Sequence, residues 1–565
     1  MARNINRHKN HEINPDEIFL DSSNLPEFNN DQFEGRMEKP IPRRNILVIG
    51  GVFALIGLIF LGKLWSVQIA HGQSFKDISE KNRLHNALVF AERGVIYDRM
   101  GTPLAWNEVN ATSSDFSLRN YIDLSGFSGL LGYVNYPAKD SSGFYYDDTL
   151  TGSDGLEKFY NTSLAGENGL KITETDATGN ALSESTIRPP KKGDNLTLSI
   201  DARVQHEMYD AIANTAQTSG FDGGAGVLMN IHTGEVLAMV SYPEYNSNVM
   251  TEKSDQAKIK AYLNDKNNPF LDRVTTGLYT PGSIIKPIFA IGALNEGVID
   301  AQTKILSTGS ISIPNPYQPG TETVFKDWRV NGWTNLMEAL SVSSDVYFYE
   351  IGGGYQNQKG LNISNLEKYA SLFGFGTSLD GTFFSGKKGT IPSPEWKAAN
   401  FNGEPWRLGD TYHTAIGQYG FQVTPIQAVR AVAAIANSGH LITPSILKSD
   451  PANSPSVASS TILASINPAY YQDVRDGMRL GVTAGTVQGL SMPQVAIAAK
   501  TGTAELGTQK QYVNSWVTGF YPYQSPDYAF VLLLEPGPAH YASGAPATMR
   551  TVMEWMSVNT PEYLK

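Results

Sequence analysis

Hydrophobic positions are spread unevenly along the 565-residue chain. Residues 45–62, NILVIGGVFALIGLIFLG, form an uncharged and mostly apolar run, and KLWSVQIA extends the pattern to about residue 70. A helix of that length crosses a hydrocarbon core of about 30 Å. Arg36, Lys39, Arg43 and Arg44 crowd its N-terminal flank. The positive-inside bias therefore predicts a single-pass anchor in the inner (plasma) membrane, with residues 1–44 in the cytoplasm and the bulk of the chain outside. A cleaved signal peptide fits less well: the leader is long, the run exceeds an h-region, and no clear A-x-A site follows. A buried core helix is the other alternative.

Periodicity divides the remainder. Residues 1–44 are polar, with charges of both signs and no apolar period, and read as a disordered tail. Residues 71–220 mix short strand-like pieces with Gly, Ser, Asp and Asn, as in YPAKDSSGFYYDDTLTGSDG, and predict an irregular β-containing pedestal. Within RVQHEMYDAIANTA, residues Val204, Met208, Ala211, Ile212 and Ala216 share one helical face. AGVLMNIHTGEVLAMVSYP reads as a hairpin about Asn230–Gly234. QVAIAAKTGTAE, NSWVTGFYPY and YAFVLLLEPG are three further strands, and ATMRTVMEWMSV a closing helix. Residues 245–490 read as mostly helical with long loops. The expected fold is α+β: an antiparallel sheet split between the two ends of residues 221–565, flanked by helices, with a helical insert. Two separate domains are the alternative, but neither strand group alone buries both its faces.

Composition narrows the functions. A hydrophobic fraction of 41% with 18% charged residues is ordinary globular material. The net charge of −11, without a Lys/Arg cluster, excludes a nucleic-acid partner. There is no cysteine, and the nine histidines show no metal-ligand spacing, so neither metal nor other cofactor is expected.

The candidate chemistry begins in LYTPGSIIKP, residues 278–287. Ser283 and Lys286 share a face if a helix starts after Pro281-Gly282. A serine hydroxyl needs an adjacent base, and a lysine serves when burial or a second cation lowers its pKa. The spacing alone is cheap: on the order of two such matches arise by chance in a chain of this length, and Ser385/Lys388 and Ser445/Lys448 also match. What singles out Ser283 is order. Ser343-Ser344-Asp345 follows it, and then the one Lys-Thr-Gly in the chain, Lys500-Thr501-Gly502, inside a predicted strand. Ser-x-x-Lys, Ser-x-Asn/Asp and Lys-Thr-Gly in that order form the signature of penicillin-recognising serine enzymes.

On these motifs the chain resembles a class B penicillin-binding protein. ERGVIYDRMGTPLA (92–105), GLEKFYN (155–161), LTLSIDARVQ (196–205), TGEVLAMVSYPEYN (233–246) and AIGQYGFQVTPIQ (415–427) also match that family's style, so the likeness runs from residue 45 to the C-terminus. Asp345, where Asn is more common, points to the elongation-type branch. The resemblance implies a peptidoglycan D,D-transpeptidase that cross-links stem peptides through a Ser283 acyl-enzyme, is inhibited by β-lactams, and partners a multi-spanning glycosyltransferase of the shape–elongation–division class. Lys286 would take the Ser283 proton, Ser343 relay one to the leaving amine, and Asp345 orient Lys286. Lys500, Thr501 and Thr503 would hold the substrate carboxylate, with Gly502 leaving room for substrate. The N–H groups of Ser283 and Thr503 would form the oxyanion hole.

Other readings compete. A D,D-carboxypeptidase or serine β-lactamase would deacylate Ser283 with water, and a β-lactam-binding scaffold would not turn over at all. Asp345 is alternatively a helix N-cap. Arg93 and Asp98 are expected to form a structural ion pair. Pro287 removes the N–H that a regular helix would direct at the Ser283 carbonyl.

Overall fold

The computed structural model describes residues 42–76, 84–110, 115–141, 145–175, 181–449, 460–507 and 509–565. The predicted disordered tail lies almost wholly outside them. The chain falls into two compact units, residues 1–85 with 173–183, and residues 86–172 with 184–565.

The first unit contains helix α1, Arg43–Trp65, prolonged by a π-helical turn to Ala70. At about 1.5 Å per residue it is long enough to span a bilayer core. None of its side chains is buried by protein, as expected of a helix whose apolar surface faces lipid.

The second unit opens with a four-stranded sheet of residues 196–197, 96–97, 103–108 and 118–121, in that spatial order. Beneath it Arg93 and Arg119 both grip Glu157, and all three side chains are fully buried. This corrects the expected Arg93–Asp98 pair. Asp98 instead accepts the N–H groups of Met100 and Thr102 at 2.9 and 2.7 Å, closing a tight turn, and that of Ala202 at 3.3 Å.

Helix α2, Ala202–Ser219, starts on Asp201, whose carboxylate accepts the Arg203 N–H, and stops at Gly220 with φ +74°. The main sheet follows: β1 (Gly223–Asn230), β2 (Val236–Tyr242), β3 (Ala498–Leu506), β4 (Tyr512–Tyr521) and β5 (Tyr528–Pro538). Their spatial order is β2-β1-β5-β4-β3, antiparallel throughout. Alternate residues serve opposite cores. Leu228, Val517, Leu532 and Leu534 meet Val204, Met208 and Ile212 of α2 and Val552 and Met556 of the closing helix Gly544–Asn559. Val227, Trp516, Val531 and Leu533 meet Ile288, Phe289, Val429 and Val432 on the other side. Each such side chain contributes about 1.5–3 kcal/mol when fully buried, and two covered faces explain the near-continuous apolar runs. Helix α2 falls within the segment assigned from sequence to the pedestal, yet its apolar face packs on this sheet.

Between β2 and β3 lie helices α3 (Lys286–Asn295), α4 (Leu336–Val342), α5 (Asp345–Gly353), α6 (Pro425–Ala436) and α7 (Pro468–Ala484). The insert is not only helical. Residues 305–307 pair with 332–334, and 310–314 with 322–326, as two small antiparallel ladders, the second a hairpin nested within the first.

Candidate active site

The sequence around Ser283 folds as a 3-10 turn, Gly282–Ile285, running into α3. In such a turn the Lys286 N–H reaches the Ser283 carbonyl. The carbonyl is satisfied without residue 287, and Pro287 falls in the first helical turn, where a missing N–H costs nothing. The proline is thereby explained. The other two Ser-x-x-Lys matches lie outside helices.

The turn is pressed against the sheet edge. Gly282 has φ +56°, and its N–H donates to the Gly417 carbonyl at 3.0 Å. The Trp516 indole on β4 donates to the Thr280 carbonyl at 3.0 Å. On the edge strand β3, a Cβ at Gly502 would lie 2.6 Å from the Pro281 carbonyl oxygen and 2.8 Å from Ile284. The room that Gly502 leaves is therefore taken up by the Ser283 turn.

Lys286 is fully buried, and its ammonium donates to Asp345 Oδ1 at 2.7 Å, the Ser343 carbonyl at 2.9 Å and Ser343 Oγ at 3.3 Å. Ser343 caps α4 in a left-handed conformation, φ +58°, which turns the chain so that its carbonyl and hydroxyl face Lys286. The N-cap of α5 is Ser344, whose Oγ accepts the Tyr347 N–H at 3.3 Å, and Asp345 is the first helical residue. Asp345 is thus not the cap, and its carboxylate is free to meet the lysine. Among the described residues Ser283 Oγ makes no hydrogen bond, so the lysine rests on Ser343 and Asp345 and not on the serine.

Lys500 is buried on β3. Burial, and then the charge of Lys286, hold its ammonium well below the ordinary lysine range, with Asp345 opposing. Burial also pushes the Asp345 carboxyl up, against the charge and hydrogen bond of Lys286. Alternation along β3 divides the Lys-Thr-Gly-Thr run. Lys500 and Gly502 face the turn. Thr501 and Thr503 project from the other face, Thr501 Oγ1 lying 3.0 Å from Thr486 Oγ1 and Thr503 exposed.

One participant escaped the sequence reading. Asp327, in FKDWRVNGW, accepts the Ser344 hydroxyl at 2.7 Å and the Val346 N–H at 3.2 Å. Burial opposes its charge, but the Ser344 hydroxyl and the Asp345 and Val346 N–H groups outweigh burial and hold its carboxyl below the usual range. An acidic residue in a polar loop carries no motif, so nothing in the sequence marked it.

A split five-stranded sheet with a buried lysine pair behind a serine turn matches a known pattern. The penicillin binding protein transpeptidase domain matches residues 224–554, and the penicillin-binding protein dimerisation domain matches residues 110–198. The chain belongs to the penicillin-binding protein transpeptidase family. Within it, the likeness is to class B, elongation-type members. Peptidoglycan D,D-transpeptidase MrdA of Escherichia coli K12 is 26% identical over 91% of this chain and 93% of its own. The Pseudomonas aeruginosa PBP2 structure in complex with WCK 5153 superposes with a TM-score of 0.68 at 29% identity, covering 85% of this chain and 98% of that one. Helicobacter pylori PBP2, solved in complex with MreC, gives 0.68 at 26% identity over 84% and 99%.

Proposed function

We propose that the protein is a peptidoglycan D,D-transpeptidase of cell elongation, with Ser283 as nucleophile. Ser283 Oγ attacks the carbonyl carbon of the penultimate D-alanine of a stem peptide, and its proton passes to Lys286 in the neutral state. The C–N bond breaks, and the proton reaches the leaving amine through Ser343, releasing D-alanine. An amine of a neighbouring stem then attacks the ester, gives up its proton along the same path, and restores Ser283. The N–H groups of Ser283 and Thr503 stabilise the oxyanion, each such donor being worth about 3 kcal/mol. Lys500 holds the terminal carboxylate from the face it shares with the Ser283 turn.

The single observation that carries this reading is the Lys286 ammonium, buried one turn from Ser283 and held by both Ser343 and Asp345. The MrdA relatives bear the name of this activity. Helix α1 serves as the single membrane anchor, its basic flank in the cytoplasm. By analogy with the Helicobacter PBP2, which was solved in complex with MreC, the protein docks an MreC-like partner, and a multi-spanning glycosyltransferase supplies the glycan strand.

Labelling with a fluorescent penicillin tests the nucleophile in wild type, Ser283→Ala, Ser385→Ala and Ser445→Ala. Loss of a long-lived band in Ser283→Ala alone supports the assignment. Turnover of a labelled stem peptide with and without an amine acceptor then separates transpeptidation from hydrolysis. A wild-type protein that takes no label would sink the proposal.

A further inference from the structure

Asp327 lies on a loop between the two small ladders, in none of the motifs that define the site. Its Oδ2 gathers Ser344 Oγ at 2.7 Å, Ser307 Oγ at 3.0 Å, Asn331 Nδ2 at 3.1 Å and the Val346 N–H at 3.2 Å. Its Oδ1 takes the Trp328 N–H at 2.9 Å. One carboxylate therefore ties down the residues on both sides of Asp345. The next residue completes the clamp, because the Trp328 indole donates to the Val342 carbonyl at 3.0 Å, just before Ser343.

What lies between the two ties needs holding. Ser343 is left-handed, a conformation that strains a residue with a side chain, and strain of this kind persists only where its surroundings impose it. Every hydrogen bond of the Lys286 ammonium goes to Ser343 or Asp345. A shift of this turn by about 1 Å would release the lysine, and misplacement on that scale costs about 100-fold in rate.

We propose that Asp327 is a positioning residue for acyl transfer, clamping the Ser343–Asp345 turn onto Lys286. The proposal rests on the reading of Ser283 as nucleophile. Its carboxylate acts through the turn and does not touch substrate. It also adds a negative charge to a crowded set: Lys286 from α3 bears on it, it bears on Asp345 and Tyr349 of α5, and Asp345 in turn bears on Lys500 from β3 and on His413, while Glu505 bears on Tyr349.

The test is the rate of fluorescent-penicillin acylation of the full-length enzyme in detergent, across the neutral pH range, for wild type, Asp327→Asn and Ser344→Ala. Asp327→Asn is expected to slow acylation about tenfold or more. Its acid limb should move to lower pH, since the Asp327 charge raises the Asp345 carboxyl and one anion fewer lets the site shed its protons more readily. Ser344→Ala loses a tie but keeps the Asp327 charge, so acylation slows with the limb in place. A merely structural aspartate would lower the folded fraction and leave the limb of the folded enzyme where it was, which would overturn the proposal. Wild-type rate and profile in Asp327→Asn would overturn it while leaving Ser283 as nucleophile. Should Asp327→Asn fail to fold, a wild-type rate in Ser344→Ala overturns it and a slowed rate supports it. If Ser283 itself takes no label, the function and the positioning role fall together.

Discussion

Two regions of this protein bury the same set of charges, one carboxylate with two cations. In the pedestal, Glu157 lies between Arg93 and Arg119. In the cleft, Asp345 lies between Lys286 and Lys500. The arginine cluster closes on itself: each guanidinium takes one oxygen of Glu157, and Arg93 also donates to the carbonyls of Leu150 and Glu157 at 2.9 and 2.8 Å. Guanidinium stays charged at any accessible pH and binds as a rigid fork, so such a cluster holds shape. The lysine cluster is built to change charge. Its cations crowd each other, Lys500 is pushed well down by burial, Asp345 is pushed up, and Asp345 keeps 21% of its side chain open to the cleft. Equal charge arithmetic thus gives a rivet in one place and the proposed proton relay in the other.

The sharpest way to break this contrast is to put an arginine into the relay. Lys286→Arg preserves a cation beside Asp345 but cannot become neutral. Penicillin acylation is expected to fall about 10²- to 10⁴-fold, with the melting temperature nearly kept; wild-type labelling would collapse the distinction. The reciprocal change attacks the rivet. Glu157→Gln leaves two buried guanidiniums without a counter-charge and should cost about 3–5 kcal/mol in denaturant unfolding, while molecules still folded label at the normal rate.

Glu244 is an intermediate case. Its carboxylate is held by the Gly126 and Ser128 N–H groups at 2.7 and 2.8 Å, and burial, opposed by those bonds, pushes it up to about 7 from 4.5. A folded-state pKa above the unfolded one gives stability that is full below about 4.5 and is lost as pH rises through about 7. Thermal scans should show that loss, worth at most about 3 kcal/mol, and Glu244→Gln should flatten it. A scan that is unchanged in the variant would mean that other groups set the slope. The smallest change, Arg93→Lys, keeps the charge but loses the fork, and should cost about 1–2 kcal/mol in stability with no effect on labelling.

Much of this was readable from the chain because local spacing encodes it. The 3.6-residue face of α2, the hairpin of β1 and β2, and the strand carrying Lys500 follow from periodicity, and the order of three short motifs singled out Ser283. What escaped depends on contacts between distant segments. Arg93 was legible, but its partner Glu157 stands 64 residues away, and Asp98 was merely a nearby acid in the same motif. Asp327 and its ladders sit in polar sequence with no period to betray them. The face that α2 buries was visible, yet not which layer covers it, so the helix was placed with the pedestal.

Three glycines have a mechanical meaning. Gly282, Gly417 and Gly502 let three stretches of backbone touch with no side chain between them: a Cβ at Gly417 would lie 2.2 Å from the Gly282 oxygen, and one at Gly282 would lie 2.9 Å from the Thr503 oxygen. Contacts of this kind have no rotamers through which to yield. The serine and the rim strand behave as parts of one casting, so a ligand that levers the strand outward drags the attacking oxygen with it. Tolerance of awkward ligands must come from parts of the cleft joined through side chains, such as the Ser343–Asp345 turn held on Lys286.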